Sequence, residues 1–169
     1  MGVAPLLITA ELPPDVLAWA DALRKAHYPP ERNRLKAHVT LFHALPPSSE
    51  GEVRRVLAEL SASHSPPMAV VTGLMNLGKG TAFDIRSPVV EALHADMVER
   101  FRGMLTKQDD RRIRLHVTIQ NKVEPAAAKA LQAQLGAGLE RREFRFRALG
   151  LYAWEDGLWR EIAEYPFRG

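Results

Sequence analysis

The spacing of apolar residues along the chain changes several times between the period of a helix and that of a strand. The opening stretch MGVAPLLITAELPPD contains a short apolar run that predicts a first strand. Residues 13–29 then have helical spacing, because their apolar side chains recur three and four positions apart. Residues 36–45, KAHVTLFHAL, alternate as a strand does and stop at two prolines. A second helix is predicted over residues 48–63.

A hairpin and a second series of elements follow. The hairpin is predicted over residues 67–87, with its turn at Gly78–Gly80. Ser87 and Pro88 then predict the start of a helix over residues 87–105, with the serine as N-cap and the proline at the first helical position. The remaining predicted elements are a strand at 113–123, an Ala-rich helix at 125–140 and a hairpin at 143–167 that turns at 155–157.

The first strand apart, the order helix, strand, helix and hairpin occurs twice. No linker or low-complexity segment separates the two series. The sequence therefore predicts a single α+β domain over residues 1–169. We expect it to be bilobal, with two related lobes that each have an antiparallel sheet and helices on one face.

The middle strands of the two series contain nearly the same phrase. RLKAHVTL at residues 34–41 and RIRLHVTI at residues 112–119 share their Arg, His, Val and Thr, and they pair similar residues elsewhere. Because residues two apart on a strand point to the same side, His38 shares a face with Thr40, and His116 shares a face with Thr118. The opposite faces are apolar. If the lobes face each other, two imidazoles and two hydroxyls converge on a central cleft.

Those side chains suit chemistry on phosphate esters. A neutral imidazole can accept a proton from a nucleophile, and a protonated imidazole can give one to a leaving oxygen. Threonine hydroxyls and cationic side chains can donate hydrogen bonds to the non-bridging phosphate oxygens. One His-x-Thr triplet in a strand is a weak signal. A matched phrase in the same position of both halves favours two parts of one active site.

The motifs HVTL at His38–Leu41 and HVTI at His116–Ile119 resemble those of the two-histidine (2H) phosphoesterase superfamily, and within it the 2′-5′ RNA ligase and cyclic phosphodiesterase-like proteins. The resemblance spans essentially the whole chain. It implies metal-independent hydrolysis or ligation at 2′,3′-cyclic phosphates or 2′-5′ phosphodiester bonds. It also implies that the two histidines are the acid/base pair and that Thr40 and Thr118 bind phosphate oxygens. Which histidine is the acid and which is the base stays open at this stage.

Several other residues are candidates for the cleft. Lys122 extends the predicted His116 face and is predicted to bind substrate. His43 lies five positions after His38, so simple alternation places it on the opposite face. The candidate cleft cations are Arg34, Lys36, Arg112 and Arg114, and the candidate aromatics for stacking a base are Phe42, Phe83, Tyr152 and Trp154. His27, His64 and His94 are predicted at the ends or surfaces of helices.

No metal or cofactor is expected, because no carboxylate shares the strand faces of His38 and His116. The chain has no cysteine and no apolar run long enough to cross a membrane, which favours a soluble cytoplasmic protein. Its net charge of +3 is compatible with a phosphate-bearing ligand but does not predict one. The expected partners are RNA ends or small cyclic-phosphate nucleotides, and a monomer is the default.

Two alternatives remain at this stage. The first is a nucleotide- or RNA-binding module that uses the same cleft without turnover. The second is a structural RNA-associated protein in which the repeat reflects only the ancestry of the fold.

Overall fold

The computed structural model describes residues 4–169 and contains two antiparallel four-stranded sheets and four α-helices. This arrangement confirms the predicted α+β fold. The elements in chain order are β1 (Leu6–Glu11), α1 (Pro14–His27), β2 (Val39–Leu45), α2 (Glu50–Ala62), β3 (Met68–Asn76), β4 (Thr81–Arg86), α3 (Pro88–Arg100), β5 (His116–Gln120), α4 (Pro125–Gly136), β6 (Arg142–Arg145), β7 (Ala148–Glu155) and β8 (Leu158–Pro166). Short 3-10 helices at Pro30–Arg32 and Pro47–Ser49 flank β2.

Local sequence signals mark several helix ends, although α3 ends at Arg100 and α4 at Gly136, before the predicted residues 105 and 140. α1 has proline at its first position and ends at His27, two residues before Pro29. The Ser87 hydroxyl caps α3 by accepting a hydrogen bond of 3.4 Å from the backbone N–H of Val90. In α2, apolar residues at helical spacing are all buried, namely Val53, Val56, Leu57 and Leu60.

Each sheet combines a motif strand from one half of the chain with a hairpin from the other half. The first sheet has the strand order β2-β1-β7-β8, and the second has the order β5-β4-β3-β6. The C-terminal hairpin β7–β8 therefore joins the sheet that contains the first repeated strand, and the hairpin β3–β4 joins the second. The repeat in the sequence consequently does not assign one half of the chain to each sheet.

This combination of strands explains why residues 143–154, predicted as one strand, form two. β6 lies at the edge of the second sheet, and β7 lies inside the first. Between them, the backbone N–H of Phe146 donates to Pro67, next to β3, whereas that of Arg147 donates to Glu11 at the end of β1. Two adjacent amides thus mark the point where the chain passes from one sheet to the other.

Both predicted hairpin turns are confirmed. Gly78 has φ of 84°, in the left-handed region that glycine adopts without strain. At the second turn, Asp156 and Gly157 have φ of 51° and 78°. Two consecutive positive φ values are the signature of a two-residue type I′ turn, for which Asp-Gly is a preferred pair.

A continuous apolar core fills the space between the sheets and helices. The apolar sides of the repeated strands contribute to it, as predicted, through Val39, Leu41, Leu115, Val117 and Ile119. α1 directly follows β1 of the first sheet in the chain, but it packs on β5 of the second sheet. Among residues 4–169, no helix combines the length and the apolar character that crossing a membrane requires.

Candidate active site

The two histidines of the repeated motif are held in the same way. His38 lies directly before β2, and His116 is the first residue of β5. The ring Nδ1 of His38 lies 2.7 Å from the carbonyl oxygen of Lys36, and that of His116 lies 2.8 Å from the carbonyl oxygen of Arg114. Because a carbonyl oxygen only accepts, each Nδ1 carries a proton and donates it. Each Nε2 is therefore available for proton transfer.

Both motif strands have a β-bulge at the residue after the threonine. In β2, Thr40 and Phe42 pair with consecutive residues of β1, which leaves Leu41 as the extra residue. In β5, the corresponding extra residue is Ile119. A bulge shifts the alternation of side chains by one position. The two motifs therefore share a bulge in the backbone as well as the same residues. Beyond each threonine, simple alternation counted from the histidine no longer predicts which face a side chain is on.

The first bulge corrects the prediction for His43. Alternation from His38 places this side chain on the opposite face, but after the shift at Leu41 it lines the same groove as Thr40. Phe42, predicted on the cleft face, is instead fully buried in the core. His43 thus joins the site because of backbone geometry that the sequence pattern does not reveal.

Residues from both motifs meet in one groove. β2 and β5 approach each other with Cα atoms within 8 Å. A groove of about 300 Å³ lies between them, and Thr40 from β2 and His116 from β5 both line it. Thr118, two residues from His116 on β5, is half-buried and does not line this groove, and neither does His38. The other residues that line the groove include His43, Met75, His94, Gln108, Asp109, Arg111, Arg112, Ile113 and Arg114.

His38 lies in a desolvated environment. The indole ring of Trp159, from β8, packs against the imidazole with a centroid distance of 4.5 Å. Burial is the main cause that lowers the pKa of His38 from 6.5 to about 4; nearby Arg24 and His116 lower it further, against opposing contributions from the Lys36 carbonyl and Glu11. The environment therefore favours the neutral imidazole at neutral pH.

Trp159 lies at the site although the sequence pattern did not indicate it. Of the four candidate stacking residues, Phe42, Phe83 and Tyr152 are buried and Trp154 is exposed. Trp159 pairs with Trp154 across the β7–β8 hairpin, so both side chains lie on the same face of the sheet. The register of the hairpin, which the Asp156–Gly157 turn sets, is the sequence signal that pairs Trp159 with the candidate Trp154.

The buried carboxylate of Glu11 joins side chains of the first sheet near His38. Glu11 accepts hydrogen bonds from the hydroxyls of Thr9 at 2.8 Å and Tyr152 at 2.6 Å, and the Lys36 ammonium lies 3.8 Å away. Burial, with the hydrogen bond to Glu11, raises the pKa of Tyr152 well above its ordinary value. Gly150 makes this packing possible, because a Cβ there would lie 2.6 Å from the Thr9 hydroxyl oxygen.

Arg24, which the sequence analysis did not single out, links α1 to the second motif. Its side chain is buried, and its guanidinium donates to the carbonyl oxygen of Thr118 at 2.8 Å and to the side chain of Asn33 at 3.1 Å. Burial lowers its pKa, although Tyr28 and Asp21 oppose the shift. A buried arginine is uncommon unless it is paired, and here it fixes the backbone directly beneath a motif threonine.

The candidate cations separate into different regions. Arg34 and Lys36 line a depression beside α1 and not the groove, and the Lys36 ammonium lies beside Glu11. Arg112 and Arg114 line the groove, but the Arg114 guanidinium pairs with Asp84 at 3.3 Å.

Lys122 lies beyond the end of β5. Its φ is 60°, its side chain is exposed, and it does not line the groove beside His116. The alternation that suggested Lys122 does not extend past the second bulge. Its role in substrate binding stays a prediction.

Two further observations concern histidines and metal ligands. His94, predicted at a helix end or surface, is instead buried in α3 and stacks on Phe42 with a centroid distance of 4.7 Å. Within residues 4–169, the one cluster of three potential metal ligands is Glu11, Glu161 and Glu164, and neither motif histidine belongs to it.

Comparison with known proteins agrees with this architecture. TT0787 from Thermus thermophilus superposes with a TM-score of 0.69 at 14% identity, covering 98% of both chains. E. coli LigT, solved in complex with NADP+, superposes with a TM-score of 0.59 at 18% identity, covering 99% of this chain and 100% of LigT. The TM-scores establish a shared fold, and at identities this low the superpositions establish the fold alone. A search of curated proteins gives no match.

The family itself is established by sequence. A model of the 2′-5′ RNA ligase superfamily matches residues 12–158, which include both repeated motifs. This match confirms the resemblance drawn from HVTL and HVTI. The chain belongs to the 2′-5′ RNA ligase superfamily.

Proposed function

We propose that this protein is a metal-independent phosphoesterase that acts on 2′,3′-cyclic phosphate or 2′-5′ phosphodiester bonds of RNA or nucleotides. The observation that carries the proposal is the pair of imidazoles from matched motifs. Each donates its Nδ1–H to a backbone carbonyl, which leaves its Nε2 for proton transfer. A catalytic acid and a catalytic base both need such an oriented nitrogen.

The environment of His38 suits it to be the base. A base must be neutral before the reaction, and burial against Trp159 lowers the pKa of His38 to about 4. His116 then has the role of the acid. In ring opening, water attacks phosphorus and gives its proton to Nε2 of His38. The bond from phosphorus to the 2′ or 3′ oxygen breaks, and that oxygen takes the proton from Nε2 of His116.

Threonine hydroxyls supply donors for the phosphate. Thr40 and Thr118 are half-buried on β2 and β5. We assign both hydroxyls to the non-bridging oxygens, where negative charge is stabilised in the transition state. Trp159, beside His38, is suited to flank the base of a nucleotide.

Nucleotides are the substrate class that the comparisons favour. E. coli LigT has been solved with 3′-AMP and with NADP+. We extend nucleotide binding to this chain, and RNA ends with a cyclic phosphate fall within the same chemistry. A chain without cysteines suits activity in the reducing cytoplasm.

The test is hydrolysis of 2′,3′-cyclic nucleotides in excess EDTA by the wild type, His38→Ala and His116→Ala. We expect the wild type to turn over in EDTA and each variant to lose about 10²- to 10⁴-fold in kcat. Binding of 3′-AMP should weaken much less, because the histidines act on the proton transfers. Nucleotide binding by the wild type without turnover of either 2′,3′-cyclic nucleotides or 2′-5′-linked dinucleotides would refute the proposal and leave a binding module.

A further inference from the structure

His43 is held in the groove by a buried carboxylate. Both oxygens of Asp109 accept from the backbone N–H of His43, at 2.9 and 3.0 Å, and one also accepts from the neighbouring backbone N–H of Ala44. The ring Nδ1 of His43 lies 2.9 Å from the same carboxylate. Burial alone would raise the pKa of Asp109, but these hydrogen bonds hold it below its ordinary value. Asp109 is therefore ionised and fixes the orientation of the His43 ring.

This pair has no part in the proton transfers assigned to His38 and His116. The His43 side chain is 42% exposed, whereas that of Asp109 is 1% exposed. The carboxylate is thus shielded and its partner faces the groove. The hydrogen bond to Asp109 occupies Nδ1, so Nε2 is the ring nitrogen that remains for a ligand in the groove.

Two arginines enter the groove beside His43. Arg111 and Arg112 follow Asp109 closely in sequence and line the same groove. Throughout residues 4–169, no carboxylate lies within ion-pair distance of either guanidinium. Arg114, by contrast, is already paired with Asp84. This end of the groove therefore presents two guanidinium groups without an acidic partner and an imidazole backed by a carboxylate.

We infer that His43, Arg111 and Arg112 form a subsite for a second phosphate, a monoester carried by the same nucleotide whose phosphodiester reacts. Guanidinium groups are strong donors to phosphate oxygens, and the fixed His43 ring adds a third polar group beside them. The groove is continuous from His43 to His116. Thr40 and His43 are three positions apart on β2, which is at most about 10 Å along an extended strand and less across the bulge at Leu41, a span on the scale of one nucleotide unit. This inference rests on the proposed function, because it places the reacting phosphate at His38 and His116.

The test is a comparison of two unreactive ligands by isothermal titration calorimetry at neutral pH. Adenosine 3′-phosphate carries one phosphate, and adenosine 3′,5′-bisphosphate carries the second. The wild type should bind the bisphosphate about tenfold more tightly, because the second phosphate gains charged hydrogen bonds that the monophosphate lacks. His43→Gln and Arg112→Gln should each lower bisphosphate affinity about tenfold more than 3′-phosphate affinity.

Arg55→Gln is the matched control. Arg55 is an exposed arginine on α2, outside the groove, and its substitution changes net charge as Arg112→Gln does. It should leave the preference for the bisphosphate unchanged. Arg112 is itself exposed, so its variant tests the inference even if His43→Gln impairs folding.

Three outcomes would overturn the inference: no preference for the bisphosphate in the wild type, a preference that survives both variants, or no binding of either ligand. The proposed function is judged separately by hydrolysis of 2′,3′-cyclic AMP by the wild type. If the wild type does not hydrolyse 2′,3′-cyclic AMP but still prefers the bisphosphate, the proposed cyclic phosphodiesterase activity is refuted and the second-phosphate subsite is supported. Hydrolysis without the preference would do the reverse.

Discussion

Trp159 packs against the imidazole of His38 with ring centroids 4.5 Å apart and an angle of 52° between the ring planes. The tryptophan comes from the C-terminal hairpin, and the histidine precedes β2. The C-terminal hairpin joins the sheet that contains β2, and this brings them together. Burial is the main cause of the lowered pKa of His38, so a residue far away in sequence contributes to the proton affinity of the proposed base.

Replacing Trp159 by alanine should raise the pKa of His38. The wild-type value is expected near 4, and water in place of the indole should move it toward the ordinary value of about 6.5. An NMR titration of the imidazole resonances measures this shift directly. Trp154→Ala is the comparison, because that exposed tryptophan pairs with Trp159 across the hairpin, and its removal should shift the titration much less. An unaltered pKa in Trp159→Ala would contradict the account of desolvation.

The same lowered pKa makes the stability of the protein depend on pH. Folding favours the neutral form of His38, so this contribution is fully present above the unfolded pKa of about 6.5. It is lost as the pH falls from there toward the folded value of about 4. Urea unfolding should show the free energy of unfolding falling by up to about 3 kcal/mol over this range. His38→Gln should flatten that part of the profile, and an equally steep profile in this variant would assign the loss to other groups.

Tyr152→Phe should destabilise the fold. It removes the hydroxyl that donates to the buried carboxylate of Glu11 at 2.6 Å, and it adds no bulk. A buried charged acceptor that loses a donor costs about 1–3 kcal/mol in the free energy of unfolding. Chemical denaturation measures the loss. Tyr28→Phe, on a half-buried ring after α1, is the comparison and should cost less. Equal stability of Tyr152→Phe and the wild type would show that the hydrogen bond adds nothing net.

Gly150→Ala should also destabilise the protein, whereas Gly73→Ala should be tolerated. A Cβ at Gly150 would lie 2.6 Å from the Thr9 hydroxyl oxygen and 2.9 Å from a ring carbon of Tyr152. At Gly73, on β3, a Cβ has no neighbour within 4 Å. Overpacking costs about 1–3 kcal/mol, so the two variants should differ by that amount in thermal or chemical unfolding. Similar stabilities of the two variants would mean that the first sheet can shift to accept the methyl group.

The sequence predicted most elements because their signals are local. Ser87 caps α3, and Asp156–Gly157 forms the hairpin turn, as the residue types indicate. The matched motifs likewise predicted which side of each repeated strand is buried, and Val39, Leu41, Leu115, Val117 and Ile119 all lie in the core.

The features that the sequence did not predict depend on contacts between distant segments. The bulges at Leu41 and Ile119 leave no mark in the alternation, and the first of them places His43 in the groove. The passage of the chain between sheets at residues 146–147 brings Trp159 to His38. In the sequence, Arg24 is one of several charged residues of an amphipathic helix. Its role depends on the packing of α1 on β5, which brings its guanidinium to the Thr118 carbonyl.

The pH profile of kcat/KM for 2′,3′-cyclic nucleotide hydrolysis in EDTA tests the central claim most directly. The account predicts a bell-shaped wild-type profile whose acid limb reports the His38 base and whose alkaline limb reports the His116 acid. His38→Ala should lose the acid limb and His116→Ala the alkaline limb, each at strongly reduced rate. A variant that keeps the wild-type rate, or that retains both limbs, would contradict paired catalysis by these two histidines.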